Sequence, residues 1–409
     1  MPNCHLCETE FETYLDFGRM PIANGFLTEE EFDDEYFYNL AIGQCPKCLM
    51  VQLVDFVPPE KLFHDKYPFH TSSSVKMQEH FEHWAWDIQG QLAHYDNPLV
   101  VEIGCNDGTM LRHFLRNRHI GVEPAMNMAE LARQKGCRVY PSFFDEDAAE
   151  FIRSMDGRAQ VIYGANVFPH IPDLHSVLRG IDLLLEPDGQ VIIEEPYWPT
   201  VVSRNAFDQI YDEHYYYFTL HALERLFGHY GFECVKHRVQ PTHGGSMRYT
   251  FMRNGKGIQF GGWSYRKWEA ENPAVMDLQS YPDFRDRIER TAFDLGVTLC
   301  WDPKAVGYAA TSKSTTVIHY CGLDPEDNIS CIYDTTPNKI GKYSPGVHIP
   351  IRDYKHFKED NPEYAVLFAW NHRREIVAKE MDWLKKGGKF IEYVPGGRLS
   401  DYSSIQSES

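Results

Sequence analysis

The sequence predicts an α/β fold, and three features carry that reading. Leu99–Leu111 (LVVEIGCNDGTML) reads as a buried parallel strand that turns sharply, between Gly104 and Gly108, into a helix restarting at Thr109-Met110-Leu111. From Leu99 onward strand-like apolar runs alternate with helical segments, and after Arg253 a change of composition precedes a second alternation of the same kind. Ahead of both, Cys4-x-x-Cys7 and Cys45-x-x-Cys48 form a pair of knuckles of the sort that hold a metal.

Length and composition bound the function. A chain of 409 residues exceeds one comfortable core, so two or three domains are expected. Its 43% hydrophobic and 14% aromatic content is that of a packed globular protein. A formal net charge of -19 argues against nucleic acid as a partner, because a phosphate backbone needs a basic surface. The opening MPNCHLC carries no secretory leader, and no apolar run approaches the ~20 residues that cross a bilayer. A cytoplasmic protein with no membrane partner is expected, as a monomer or weak oligomer. Ten cysteines in a chain this long do not suggest a disulfide scaffold.

Taken in order, the two knuckles bring four thiolates to one point, a closed S4 shell suited to structural zinc with ligands Cys4, Cys7, Cys45 and Cys48. The intervening residues 8–44 read as a solvated loop or short helix, and Leu49–Val54 as a strand. Val75–Leu92 has helical spacing, with Trp84 and Trp86 more consistent with packing than with a ligand box. Strands follow at 99–104, 119–123, 137–140, 160–166 and 190–195, and a closing pair at 234–240 and 246–252 makes seven. Glu123 comes 21 positions after Glu102, at the end of the second strand, where a carboxylate accepts ribose hydroxyls.

Asn254–Gly262 is glycine-rich, and Trp263–Pro303 reads as helical with breaks at Pro273 and Pro282. The second alternation runs 305–310 strand, 315–321 helix, then strands at 329–334, 364–370 and 390–394, a domain of about 150 residues. Its first turn, Thr311 to Thr315, sets hydroxyls and Lys313 at a helix start, which is either an anion seat or a plain solvated cap. Ser400–Ser409 reads as a disordered tail. The expected division is a zinc-binding module over 1–70, a cofactor domain over 71–245 and a second α/β domain over 246–409.

The glycines are spaced G-x-x-x-G, so the dinucleotide pattern G-x-G-x-x-G is not met. Glu102-x-Gly104-x-x-x-Gly108 instead resembles the first motif of class I S-adenosylmethionine-dependent methyltransferases, whose sheet is seven-stranded and Rossmann-like. The resemblance extends over nearly the whole chain to the sugar C-methyltransferases acting on nucleotide-linked 4-keto-6-deoxyhexoses. It is carried by LDFGRMPIANGFL (15–27), CPKCLMVQLVD (45–55), NVFPHIPD (166–173), YDEHYYYFTLHAL (211–223), THGGSMR (242–248) and YDTTPNKIGKYSPGVHIPI (333–351).

The resemblance implies S-adenosylmethionine as cofactor, over Glu102, Gly104, Asn106 and Gly108, with its ribose at Glu123, its adenine near Phe143 and Phe144, and Asn166 where donor and substrate meet. It implies His214 as the base that removes a proton alpha to a ketone, a task suited to imidazole. Glu213 and Tyr211 stand beside it, while His170 and Tyr67 match family positions able to hold the keto oxygen or sugar hydroxyls. His243, Gly244, Gly245, Ser246 and Arg248 match a substrate-binding segment. The resemblance makes 246–409 the nucleotide-sugar-binding domain, with Ser312 and Lys313 as substrate-binding residues where the family has a G-A-P-A-K-G-type turn; the lysine is kept, the small residues are changed, and His319 replaces a frequent asparagine. The reaction implied is proton abstraction at C-3, enolate formation and in-line methyl transfer, with positioning as the protein's main contribution and the zinc module as a lid or wall over the sugar. Two alternatives stay open from the residues: O-methylation of a nucleotide sugar, and a non-catalytic protein that binds zinc and a nucleotide.

Overall fold

The computed structural model describes residues 1–62, 71–255, 278, 282–301, 305–396 and 398–407, so the expected active-site position Tyr67 lies outside the described residues. Strands β1 (Thr13–Pro21), β2 (Phe37–Gln44) and β3 (Val51–Leu53) form an antiparallel sheet beside the knuckles. Residues 8–44 therefore carry two paired strands rather than a solvated loop alone, and Glu29–Asp34 makes a short 3-10 turn between them. Leu15, Phe17, Met20, Leu40 and Ile42 are buried there. Register shifts at Thr13/Leu15 and Asp16/Gly18 break the two-residue period by which such strands are recognised.

The middle of the chain supplies β4 (Leu99–Ile103), β5 (Arg118–Val122), β6 (Val139–Tyr140), β7 (Ala159–Ala165), β8 (Leu185–Pro196), β9 (Tyr216–Tyr217), β10 (Phe232–Gln240) and β11 (Ser246–Arg253). Seven of them make one sheet in the order β10-β11-β8-β7-β4-β5-β6, parallel from β4 to β8, with β11 antiparallel between β8 and β10. Every residue of β4 is buried, as a parallel strand covered on both faces requires. The helix Val75–Leu92 lays Trp84, Ala85 and Ile88 against Val100, Tyr163 and Ile192, so its aromatic content is core packing. The helix expected from Thr109 is one 3-10 turn, Leu111–Phe114. The odd strand out, β9, joins the N-terminal sheet beside β3. It leads straight out of Asp212-Glu213-His214, so that loop is held between the module and the middle sheet.

A third sheet contains β12 (Ala305–Tyr308), β13 (Ile329–Asp334), β14 (Ile351–Asp353), β15 (Tyr364–Leu367), β16 (Lys389–Glu392) and β17 (Arg398–Ser400), in the order β14-β13-β12-β15-β16-β17 with β17 antiparallel. The helix Ser312–Tyr320 follows β12. The expected tail instead holds the end of β17 and the short helix Tyr402–Ser407, whose Tyr402 and Ile405 pack on the second core with Met381. Two apolar residues three apart sufficed, and the serines around them concealed the pattern. Of the segment Trp263–Pro303, Pro282–Trp301 is one helix. The expected boundary at 245/246 falls at the turn between β10 and β11, both members of the middle sheet.

Ala23 ties the three parts together. Its amide donates to both carboxylate oxygens of Asp212 at 3.2 Å, and its carbonyl accepts the Thr315 hydroxyl at 3.0 Å.

Candidate active site

A cavity of about 890 Å³ lies where the carboxyl ends of the two parallel sheets meet. Its walls come from the residues after β4, β5 and β7 on one side and after β12, β13 and β15 on the other. Crevices outside the carboxyl ends of parallel strands are where open α/β sheets bind ligands.

The first wall contains Gly104, Asn106, Glu123, Phe143, Phe144 and Asn166. Gly104 has φ +66°, and a Cβ there would come within 2.5 Å of Val167, so only glycine allows this turn. Glu123 is fixed by two amides: Asn106 N–H donates to Oε2 and Ala125 N–H to Oε1, each at 2.9 Å. Burial raises its pKa to about 7. Asn106 accepts from the amide and hydroxyl of Thr71 at 3.0 and 3.1 Å, which docks the loop on the segment before the first long helix. Glu102 and Gly108 stand behind this wall. Glu102 accepts the Tyr163 hydroxyl at 2.9 Å, with its pKa pushed well above the carboxylate range by burial. A Cβ on Gly108 would press on Ala132 at 2.9 Å.

Between the walls stand Tyr211, Glu213, His170 and Asn24. His214 does not line the cavity: its Nδ1–H donates to the Gln209 carbonyl at 3.0 Å, and its Nε2 lies 3.0 Å from the Tyr211 hydroxyl. With Nδ1 carrying the hydrogen, Nε2 is the acceptor and the phenol the donor. The imidazole therefore meets the cavity only through Tyr211, which lines it together with Ser312. Burial, then the neighbouring His170 and Lys313, hold the His214 pKa well below 6.5. Burial likewise takes His170 to about 3, so its ring is a neutral hydrogen-bonding group. Its Nδ1 is 4.0 Å from Glu213, whose other oxygen accepts the Asn24 side-chain amide.

On the far wall, Lys313 has its ammonium 5.2 Å above the Trp370 ring with no hydrogen-bond partner among the described residues. Burial lowers its pKa and the Asp208 carboxylate works against that. Lys339, a second cation in the cavity, donates to the Ala310 carbonyl at 2.8 Å and is drawn toward Asp334 and Glu213. Nothing in the spacing around Lys339 marks it out, and Asp334 and Asn24 were equally inconspicuous. Each lies in a segment that carries the family resemblance.

The segment after β10 divides. His243 lines the cavity, with φ +51° and a pKa brought to about 4 by burial and by Lys313. Gly244 and Gly245 make room for protein instead: a Cβ would lie 2.4 Å from Trp370 and 2.3 Å from Thr200, respectively. The Ser246 hydroxyl donates to the Thr242 carbonyl at 3.1 Å. Arg248, expected to meet substrate, is committed to Glu194 at 2.7 and 2.8 Å and stacks on Trp84 at 4.0 Å. His319 also faces away, bonded to the Pro345 carbonyl at 3.1 Å.

In the N-terminal module the sulfurs of Cys4, Cys7, Cys45 and Cys48 all lie within 4.8 Å of one another. Cys4 accepts from Gln52 Nε2 at 3.1 Å and from the Leu6 amide at 3.4 Å, and Cys45 from the Cys48 amide at 3.5 Å. Donors aimed at sulfur are what a thiolate shell requires, so this set fits zinc.

Comparison with known proteins agrees along the chain. Family models match at residues 4–63 (zinc binding domain), 88–237 (methyltransferase domain) and 241–395 (C-methyltransferase C-terminal domain). The C-methyltransferase NovU of Streptomyces niveus is 32% identical over 97% of this chain and 96% of its own. The chain belongs to the C-methyltransferase family. Similar solved structures include magnesium protoporphyrin IX methyltransferase from Synechocystis PCC 6803 with bound SAH (14% identity, TM-score 0.35, 44% of this chain and 84% of that one). Another is geranyl diphosphate C-methyltransferase from Streptomyces coelicolor A3(2) (12% identity, TM-score 0.34, 42% and 76%).

As a family member the protein is an S-adenosylmethionine-dependent C-methyltransferase, which sets aside the O-methyl and non-catalytic alternatives. The first wall fits that cofactor. A glycine turn leaves room for it, and the amide-fixed carboxylate of Glu123 faces the cavity ready for hydroxyls. Among the described residues no helix is long and apolar enough to cross a membrane.

Proposed function

We propose that the enzyme methylates C-3 of a nucleotide-linked 4-keto-6-deoxy sugar. The observation that carries this is one cavity bounded by the cofactor wall, by the Tyr211–His214 pair, and by two buried ammonium groups. Lys313 and Lys339, with the amides at the start of the helix Ser312–Tyr320, suit a diphosphate. The sugar ring then reaches Tyr211.

Proton removal runs as a relay. The phenol oxygen of Tyr211 takes the proton from C-3 while its own proton passes to Nε2 of His214. The Gln209 carbonyl keeps the imidazole in the tautomer that can accept it. The negative charge that develops on the 4-keto oxygen meets neutral His170 and the neighbouring ammonium groups. Glu213, steadied by Asn24, orients the sugar hydroxyls and aligns the relay. S-adenosylmethionine supplies an electrophilic methyl group on a sulfonium centre. The turn at Gly104–Asn106 and the Glu123 carboxylate would hold it.

The test is to offer synthetic nucleoside diphosphate 4-keto-6-deoxy sugars with a ¹³C-labelled methyl donor and to read the product by NMR. A labelled methyl on C-3, which then bears no hydrogen while C-5 keeps its own, is expected. Label elsewhere, or no turnover with any such sugar while another carbon acid is methylated, would overturn the reading.

A further inference from the structure

The turn after β7 carries two cavity residues, Asn166 and His170, and its backbone amides can be accounted for one by one. Asn166 N–H donates to the Glu194 carbonyl at 2.8 Å and His170 N–H to the Val167 carbonyl at 3.0 Å, while Pro169 has no amide hydrogen. Val167 and Phe168 remain, at the start of the 3-10 turn Phe168–His170. Both donate to one oxygen, Oε1 of Glu195 on β8, at 3.3 and 3.2 Å.

This is a helix cap supplied from another strand. The first amides of a helical turn commonly find a Ser, Thr, Asp or Asn side chain at the capping position. Here that position is Val167, whose side chain has no acceptor to offer. Valine serves a different need there. A Cβ on Gly104 would come within 2.5 Å of its methyl groups, and one on Gly164 within 2.7 Å, so Val167 fills the space those two glycines leave. The capping task therefore passes to Glu195, which is fully buried on the neighbouring strand.

We propose that Glu195 is a positioning residue for methyl transfer: by holding the Val167 and Phe168 amides it fixes His170 relative to the glycine turn of the cofactor wall. The inference rests on the place given above to His170, at the oxygen where enolate charge develops. Two further observations bear on how Glu195 works. Asn166, the residue before the capped amides, has φ +55°, a left-handed conformation that persists only where its surroundings hold it. Burial also pushes the Glu195 pKa well above the carboxylate range, so the neutral acid offers Oε1 as a carbonyl-like acceptor rather than as a charge.

Steady-state kinetics on the full-length, zinc-loaded protein test this, with S-adenosylmethionine and the carbon acid that the labelled-methyl experiment finds to be methylated. Glu195→Leu is expected to lower kcat about tenfold or more, because two buried amides lose their acceptor and the turn relaxes. Glu195→Gln keeps a neutral oxygen in that place and should rescue kcat to within about twofold of the wild type. In protein already carrying His170→Ala, Glu195→Leu should cost less than about twofold more, since a residue that acts through another adds little once the other is gone. The same full loss in both backgrounds would overturn the inference, and so would a glutamine variant as slow as the leucine one. A lower urea midpoint with unchanged kcat in the folded protein would reduce Glu195 to a structural role. Should Glu195→Leu fail to fold, Glu195→Asp, which draws the oxygen back by one carbon, replaces it in the same comparisons. Full activity in His170→Ala would remove the role on which the inference rests, and both would fall. Methylation of a carbon acid other than a keto sugar would sink the proposed substrate alone, because the assay uses whichever acid is methylated.

Discussion

The Tyr211 hydroxyl sits 3.0 Å from Nε2 of His214 and stands between that imidazole and the cavity. Two groups that pass one proton should fail as a unit. Tyr211→Phe and His214→Ala are each expected to lower kcat by about two orders of magnitude, and the double variant by little more than either alone. S-adenosylmethionine affinity, measured by calorimetry, should stay at its wild-type value in all three. A double variant whose loss is the product of the two single losses would mean that the residues act independently.

Glu123 is expected to make cofactor binding depend on pH. In the free cavity burial holds its pKa at about 7, whereas ribose hydroxyls donate to the ionised form and so favour it. Binding therefore releases a proton below pH 7, and affinity must fall as pH falls. Between pH 7 and 5 the loss approaches about tenfold per unit. Calorimetry in buffers of different ionisation enthalpy counts the proton directly. Glu123→Gln should bind more weakly at pH 8 and show no such slope. A flat profile in the wild type would remove the hydroxyl-accepting role.

Arg248 is expected to matter for folding rather than for substrate. Its partner Glu194 is 3% exposed and also bonded by His80 at 2.7 Å and by Thr242 at 2.9 Å. Arg248→Ala leaves that carboxylate short of a charge partner in the interior and removes the stacking on Trp84. Such losses cost about 3 kcal/mol or more, read as a lower midpoint in urea. KM for the sugar should be unchanged in the folded fraction. A raised KM with unchanged stability would return Arg248 to the substrate site.

These residues also show what the sequence can and cannot reveal. The middle sheet was legible because β4 opens on an apolar run, Leu99 to Val101, and Gly104 and Glu123 sit at the characteristic turns. The four cysteines were legible because ligand spacing is a local property. Strands β1 and β2 were not, since bulges erase their alternation. Nor was the order of Tyr211 before His214. They are close in sequence within one turn, and only its fold decides which of them faces the cavity. Arg248 looked available because its partner Glu194 is 54 residues away on the adjacent strand. Asn24, Asp334 and Lys339 reach the site from segments far from residues 211–214, through contacts that no local pattern encodes.

Zinc, finally, should act on turnover as well as on folding. The knuckles anchor the sheet whose loop carries Ala23 and Asn24, and these two residues donate to Asp212 and Glu213 across the interface. Releasing the metal is expected to loosen that loop at the point where it steadies the cavity-facing Glu213 carboxylate. Cys45→Ser is expected to lose zinc and to melt at a lower temperature, because a structural site contributes its binding free energy to folding. Asn24→Ala separates the two effects. It removes only the amide that Glu213 accepts, so kcat should fall about tenfold with zinc content and S-adenosylmethionine affinity unchanged. Full activity in Asn24→Ala would confine the module to a structural role, since the cofactor wall at Glu123 is built from another sheet and does not need it.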